Sequence, residues 1–170
     1  MILVFTGFLA LKSGAATTKV SDHPRSEILF AQITGDVRYP GVYSFCSNAN
    51  SVTLIQRAGG LRSGIAVPEG FKEFSLKSGI RINIRSNGEE VSISEDTMSA
   101  HYRITLRIPI SLNGESEKGL TAITGIGEAL AYAIVREREK RGGFEDLNEI
   151  IAIKGIGPNL AEKMKRYLVL

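Results

Sequence analysis

The sequence has few of the side chains from which catalytic and metal sites are built. Cys46 is the only cysteine, which excludes an internal disulfide and any zinc site made from thiolates; its default role is that of a small buried apolar group. The two histidines, His23 and His101, stand far apart, and neither has a carboxylate pattern or a spaced partner that would make it a ligand. No carboxylates cluster with metal spacing, and no Lys or Asp is set against a pocket for a base. Catalytic residues, metal ligands and cofactors are therefore expected to be none, and an enzyme is not expected. Proline is also scarce, at five residues, while Ile, Leu and Val are ample. Such a chain folds, and its length fits one or two small domains.

Long apolar runs are missing too. The run from Ile2 to Leu11 falls short of the roughly 20 residues that a membrane-spanning helix needs. It suits the core of a signal peptide, with Ser13 and Ala15 as small residues around a candidate cleavage point, although the basic residues that usually precede such a core are lacking. Residues 1–20 are expected to be a signal peptide or a truncated membrane anchor, and the protein to be exported or anchored. Neither sign of charge dominates. The chain carries 21 Lys and Arg against 18 Asp and Glu, yet from Gly114 on nine basic residues balance nine acidic ones. The basic excess therefore lies in the other part of the chain, and attraction of a polyanion near the C-terminus must come from local placement.

What the chain does contain is a duplication. With a shift of thirty residues Leu120 falls on Ile150, Ile123 on Ile153, Gly125-Ile126-Gly127 on Gly155-Ile156-Gly157, Leu130-Ala131 on Leu160-Ala161 and Ile134 on Met164. Each copy reads as a short helix, a Gly-Ile-Gly turn and a second helix with apolar residues at helical spacing. The glycines permit positive φ and close approach, the isoleucine plugs the helix pair, and the second helix begins with its amides pointing outward. A helix start of this kind suits a phosphate, and two in tandem suit a polyanion.

The copies differ on their outward faces. With Leu160, Ala161 and Met164 inward, Asn159, Lys163 and Arg166 share an outer stripe that leads away from the turn, and Lys154 stands just before it. The first copy has Ala129, Ala133 and Arg136 there, with Glu128 directly after the turn, where a carboxylate repels phosphate. An unequal pair is expected, with the second hairpin dominant. Arg138, Lys140 and Arg141, among Glu137 and Glu139, read as a solvated helix end.

Upstream, Ile28 to Val37 reads as a strand interrupted by Gly35, Pro40-Gly41 as the centre of a type II turn, and Val42 to Phe45 as the returning strand. Ser51 can cap a short helix with Val52, Ile55 and Ala58 inward, ended by Gly59-Gly60. Asn87-Gly88 predicts a two-residue hairpin loop that sets Ile84 opposite Val91, Ile82 opposite Ile93 and Arg85 opposite Glu90. Tyr102 to Leu112 alternates and reads as a strand or extended connector, with Arg103 and Arg107 on a solvated side and Pro109 marking an edge.

The duplicated pattern, hydrophobic, two residues, hydrophobic, any residue, Gly-hydrophobic-Gly, three residues, Ala, resembles the tandem helix-hairpin-helix domain of ComEA-type competence DNA receptors. Leu112-Asn113 before the first copy and Gly142-Gly143-Phe144, Leu147 and Ile150-Ile151 before the second also fit that family. The stretch from Glu27 to Leu61, with Gly35, Pro40-Gly41-Val42-Tyr43 and Ala58-Gly59-Gly60-Leu61, resembles the soluble-ligand-binding β-grasp (SLBB) domain. The resemblance implies an α+β protein: a small SLBB-like β-grasp domain over 27–108 and an all-α tandem helix-hairpin-helix domain over 111–170. It implies binding of double-stranded DNA through backbone phosphates in DNA uptake, in the periplasm or on the outer side of a bacterial inner membrane. With the face reading above, the residues expected to make the contact are Gly125, Ile126, Gly127, Lys154, Gly155, Ile156, Gly157, Asn159, Lys163 and Arg166. The SLBB-like part would meet a ligand, or competence or membrane-channel proteins. A protein-docking use of the hairpins, without DNA, stays open beside this reading.

Overall fold

The computed structural model describes residues 28–46, 48–62, 73–87 and 90–170. The signal-peptide or anchor expectation for 1–20, His23, and the Gly88 half of the Asn-Gly turn lie outside them.

The first part is a four-stranded sheet with one helix on its inner face. Strands β1 (Ile28–Gly35), β2 (Gly41–Cys46), β3 (Ile80–Ser86) and β4 (Val91–Thr97) lie in the order β2-β1-β3-β4. The central β1-β3 pair is parallel and the outer pairs are antiparallel. A parallel pair needs a crossover connection, and it contains α1 (Ser51–Arg57), which gives the β-grasp arrangement. Ala31, Ile33, Ile82 and Ile84 from the central strands pack with Leu54, Ile55 and Ala58 of the helix segment. Each fully buried Ile or Leu is worth about 1.5–3 kcal/mol relative to an exposed one.

Several local features differ from the expectation. The helix cap is Asn50, whose side chain accepts from the Thr53 amide at 2.7 Å, and Leu54 rather than Val52 completes the inward face. Gly41 does not take positive φ. It already pairs with Ile33, and the special conformation falls on Gly35 (φ +89), where a Cβ would stand 1.8 Å from the Ile84 carbonyl oxygen. The β3-β4 register is two residues off the expected one: Ile84 faces Ile93 and Ser86 faces Val91. Asn87 opens the turn, its side chain accepting from the Glu90 amide at 2.7 Å, so the loop spans four residues instead of two. The two-residue shift keeps every side chain on its intended face. Cys46 is exposed rather than buried, because β2 turns that position away from the helix.

The connector is the largest departure. Residues Ala100–Thr105 form helix α2 rather than a strand, and only Ile110–Ser111 is extended, as β5. Tertiary contacts override the local alternation. Arg103 is ion-paired with Glu115, both side chains being largely buried, and its Nε donates to the Met98 carbonyl, while Ile104 packs on the C-terminal core. It is thus no solvated stripe residue. His101 is exposed on α2, and no group of residues that could hold a metal occurs among the described residues.

The C-terminal part contains α3 (Glu117–Leu120), α4 (Glu128–Arg141), a 3₁₀ helix (Leu147–Ala152), α5 (Pro158–Lys165) and β6 (Leu168–Val169). β6 pairs in parallel with β5 and so ties the two ends of this part together. Leu120, Ile123, Ile126, Ala131 and Ile134 meet their duplicates Ile150, Ile153, Ile156, Ala161 and Met164 in one core. Asn113 clamps the connection between copies: its amide donates to the Phe144 carbonyl at 2.9 Å and its oxygen accepts from the Phe144 amide at 2.8 Å. Arg138, expected in solvent, donates instead to the carbonyls of Leu112 and Glu115. Among the described residues no helix is long and apolar enough to cross a membrane.

Candidate nucleic-acid interface

The two Gly-Ile-Gly turns have nearly the same backbone. Gly125 and Gly155 have φ of +98 and +99. Gly127 and Gly157 cap the following helices in extended conformation, with φ −87, ψ 175 and φ −82, ψ 169. Positive φ already favours glycine at the first of each pair, and reciprocal packing narrows the space further. A Cβ on Gly125 would meet Leu160 Cδ1 at 3.0 Å, and one on Gly155 would meet Leu130 Cδ2 at 2.9 Å. Each hairpin thus seats the leucine of the other. Ile126 and Ile156 are buried, so in both turns the isoleucine is a plug and contributes its backbone alone to the surface.

The second glycine of each pair faces outward. A Cβ at Gly127 or Gly157 would find nothing within 4 Å, so both turns are open to an approaching group. In the first hairpin the amides of Gly127, Glu128 and Ala129 make no bond among the described residues, and the helix ladder begins with Ala131 donating to Gly127. In the second, Leu160 and Ala161 both donate to the Gly157 carbonyl, and Pro158 has no N–H to offer. The first turn is therefore richer in backbone donors. The second is richer in side-chain donors, as Lys154, Asn159, Lys163 and Arg166 are all exposed, with no ion pair or side-chain hydrogen bond among the described residues. Lys165, on the other side of α5, is taken up by Glu162 and Asn148.

The first hairpin's outer stripe is poorer, as read from the sequence. Ala129 is exposed and Ala133 half-buried, and Arg136 leans on Tyr132, 5.9 Å from its ring centre and 3.3 Å from its hydroxyl. Glu128 is exposed at the turn and makes no cap to its own helix. At about 4 Å in water an unscreened pair of unit charges interacts by about 1 kcal/mol, so a carboxylate there weighs against a phosphate. A groove of about 710 Å³ runs between Arg136, Glu137 and Lys140 of α4 and Ala152, Ile153 and Lys154 of the second hairpin. Two further acids are fixed structurally. The Arg141 side chain, bonding Glu137, holds that carboxyl below its ordinary range. The Asn148 backbone amide, followed by its side chain, does the same for Asp146, which caps the 3₁₀ helix.

Of the ten residues expected at the site, Lys154, Gly157, Asn159, Lys163 and Arg166 lie on or beside one exposed end of the second hairpin, and Gly127 is open on the first. Gly125 and Gly155 serve the contact between hairpins, and Ile126 and Ile156 the core. The structural burden on Arg138 and Asn113 escaped the sequence, since neither has a pattern that separates a carbonyl clamp from a surface polar residue.

The fold and this site define a tandem helix-hairpin-helix protein, and a family model described as helix-hairpin-helix motif matches residues 107–169. Over 144 residues the chain is 27% identical to ComE operon protein 1 of Bacillus subtilis (strain 168), covering 82% of this chain and 69% of that protein. It is 36% identical over 64 residues to an uncharacterized protein of Haemophilus influenzae, covering 38% of this chain and 54% of that one. The C-terminal part of the chain is thus similar to helix-hairpin-helix proteins, and most of the chain is similar to ComE operon protein 1.

Proposed function

We propose that the protein is a non-enzymatic receptor for double-stranded DNA, held by its backbone phosphates, with the second hairpin as the principal contact. The observation that carries this reading is the unpaired set Lys154, Asn159, Lys163 and Arg166 beside the open Gly157. Amides and Lys or Arg side chains meeting phosphates position a duplex without reading its bases, so binding is indifferent to sequence. Few cations imply weak affinity, in the range of about 0.1 mM to 1 μM for non-specific complexes, with strong salt dependence. Many copies anchored on one surface would raise the effective affinity.

The likeness to ComE operon protein 1 supports a role in DNA uptake, and the apolar run Ile2–Leu11 supports export, with the protein on the outer side of an inner membrane. In this reading residues 1–20 are the export or anchor segment, the β-grasp unit (27–108) meets a ligand or a channel protein, and 111–170 is the DNA-binding unit. The test is fluorescence anisotropy of the full chain with a random duplex at several salt concentrations. The reading expects log affinity to fall against log salt with a slope of about −2 to −4, as for a few neutralised phosphates. No binding even at low salt would favour a second reading, docking of a protein on the hairpins, which Glu128 at the first turn and the neutral balance after Gly114 otherwise favour.

A further inference from the structure

The excess of positive charge outside the hairpins has a location. Between Ile28 and Arg62 the chain has three arginines, Arg38, Arg57 and Arg62, and one acid, Asp36. Asp36 is turned away, its Oδ2 accepting from the Ser86 amide at 2.8 Å. Arg57 is used internally, donating to the Ser44 carbonyl and lying 4.8 Å over the Phe45 ring. Arg38 and Arg62 are exposed, with no ion pair or side-chain hydrogen bond among the described residues.

The backbone brings these two together. Val37 and Leu61 form an antiparallel bridge and are both buried. The Arg38 amide donates to Gly60 and the Arg62 amide to Asp36. Residues 38 and 62 are therefore diagonal neighbours on the outward side of that bridge, at a separation of about 7–8 Å for such a pair. Beside them Tyr39 is 60% exposed, although its backbone is held from two sides, by the Ala58 carbonyl and the Tyr43 hydroxyl. Its ring lies against Gly59, where a Cβ would come within 2.8 and 2.9 Å of Cδ2 and Cε2, and within 3.2 Å of Arg38 Cβ. Gly60 next to it faces open space. The result is a fixed, exposed aromatic ring beside Arg38, with Arg62 on the far side of Arg38 along the bridge, and neither guanidinium paired among the described residues.

We propose that Arg38, Tyr39 and Arg62 form a second nucleic-acid site, suited to a single strand. Cations that track the phosphates together with an aromatic face on which a base stacks are the means by which single strands are held without sequence preference. Duplex DNA presents no free base face to Tyr39. A guanidinium serves phosphate better than an ammonium here, because it offers a planar fork and stacks.

The test uses the full chain and a fluorescein-labelled oligothymidine of about 20 nucleotides at low salt, beside a random duplex. The proposal expects Arg38→Ala with Arg62→Ala to weaken oligothymidine binding at least tenfold. Tyr39→Ala weakens it at least about fivefold, the lower end for one stacked base, and Tyr39→Phe keeps it. Lys163→Glu with Arg166→Glu leaves it within twofold while lowering duplex affinity, so a failure of the hairpin reading shows in the duplex arm alone. Arg38→Gln with Arg62→Gln keeps the aliphatic stems and replaces the alanine pair if that pair loosens the Val37–Leu61 bridge. The proposal is overturned if the wild-type chain does not bind oligothymidine, or if binding disappears with the Lys163 and Arg166 changes and survives those at Arg38 and Arg62. It is overturned equally if the arginine pair matters and Tyr39→Ala does not, which would leave a site for simple polyanions.

Discussion

The two hairpins have one backbone and two surfaces. Their first glycines agree within one degree in φ, and each seats the other's leucine, so neither turn can drift without disturbing its twin. The outward positions carry no such constraint: Ala129, Ala133 and Arg136 stand in one copy where Asn159, Lys163 and Arg166 stand in the other. The contrast separates what the fold requires from what a ligand requires. It also shows two ways of favouring an anion. The first turn offers more free amides with Glu128 beside them; the second, with Pro158 in its first helical position, offers fewer amides and more cations.

The largest effect expected from this contrast is on binding. Lys163→Glu with Arg166→Glu should weaken a random duplex tenfold or more and flatten the salt slope by about two, one for each lost phosphate contact. The equivalent change in the first hairpin, Ala133→Glu with Arg136→Glu, should cost distinctly less in the same anisotropy assay. Equal losses would break the comparison. For stability the copies should instead behave alike. Gly125→Ala and Gly155→Ala each force a side chain into positive φ and against a leucine, and each should lower unfolding free energy by about 1–3 kcal/mol in urea titrations.

Smaller is the effect of the carboxylate at the first turn. Glu128→Gln removes a repulsion of about 1 kcal/mol at close range and should raise duplex affinity by up to about fivefold, most at low salt. The smallest concerns the caps that open the two copies. Ser116 accepts from the Gly119 amide, and its thirty-residue counterpart Asp146 accepts from the Asn148 amide. Asp146 is held below its ordinary carboxyl value, so its contribution is fully present above the unfolded value of about 3.9 and is lost as pH falls through the lower folded value. Thermal melts of Asp146→Asn should show a shallower loss of Tm below about pH 4 than the wild type, while Ser116→Ala should leave the slope unchanged.

The helical part was legible because duplication is a pattern that needs no tertiary context. Gly-Ile-Gly at fixed offset from Leu120 and Ile150 gave turn, plug and helix start together, and the exposed Lys163 and Arg166 stripe followed from helical spacing alone. The connector misled for the opposite reason. Tyr102 to Leu112 alternates like a strand, yet Arg103 meets Glu115 from a distant turn, and that buried pair is invisible to a local window. The Asn87 hairpin was off by two residues because Asn is equally at home opening a longer turn through its side chain. Asn113 and Arg138, which hold carbonyls from other segments, carry no local signal. The Arg38 and Arg62 pairing depends on the Val37–Leu61 bridge, which sequence spacing did not reveal.

The central claim, one scaffold with unequal use, is tested most directly by amide chemical shifts of the ¹⁵N-labelled full chain titrated with a random duplex. The account predicts that Lys154, Gly155, Gly157, Asn159 and Lys163 move strongly and saturate together, while Gly125, Gly127 and Ala129 move little. Equal movement in both turns, or larger movement in the first, would mean that free backbone amides outweigh cations here, and would contradict it.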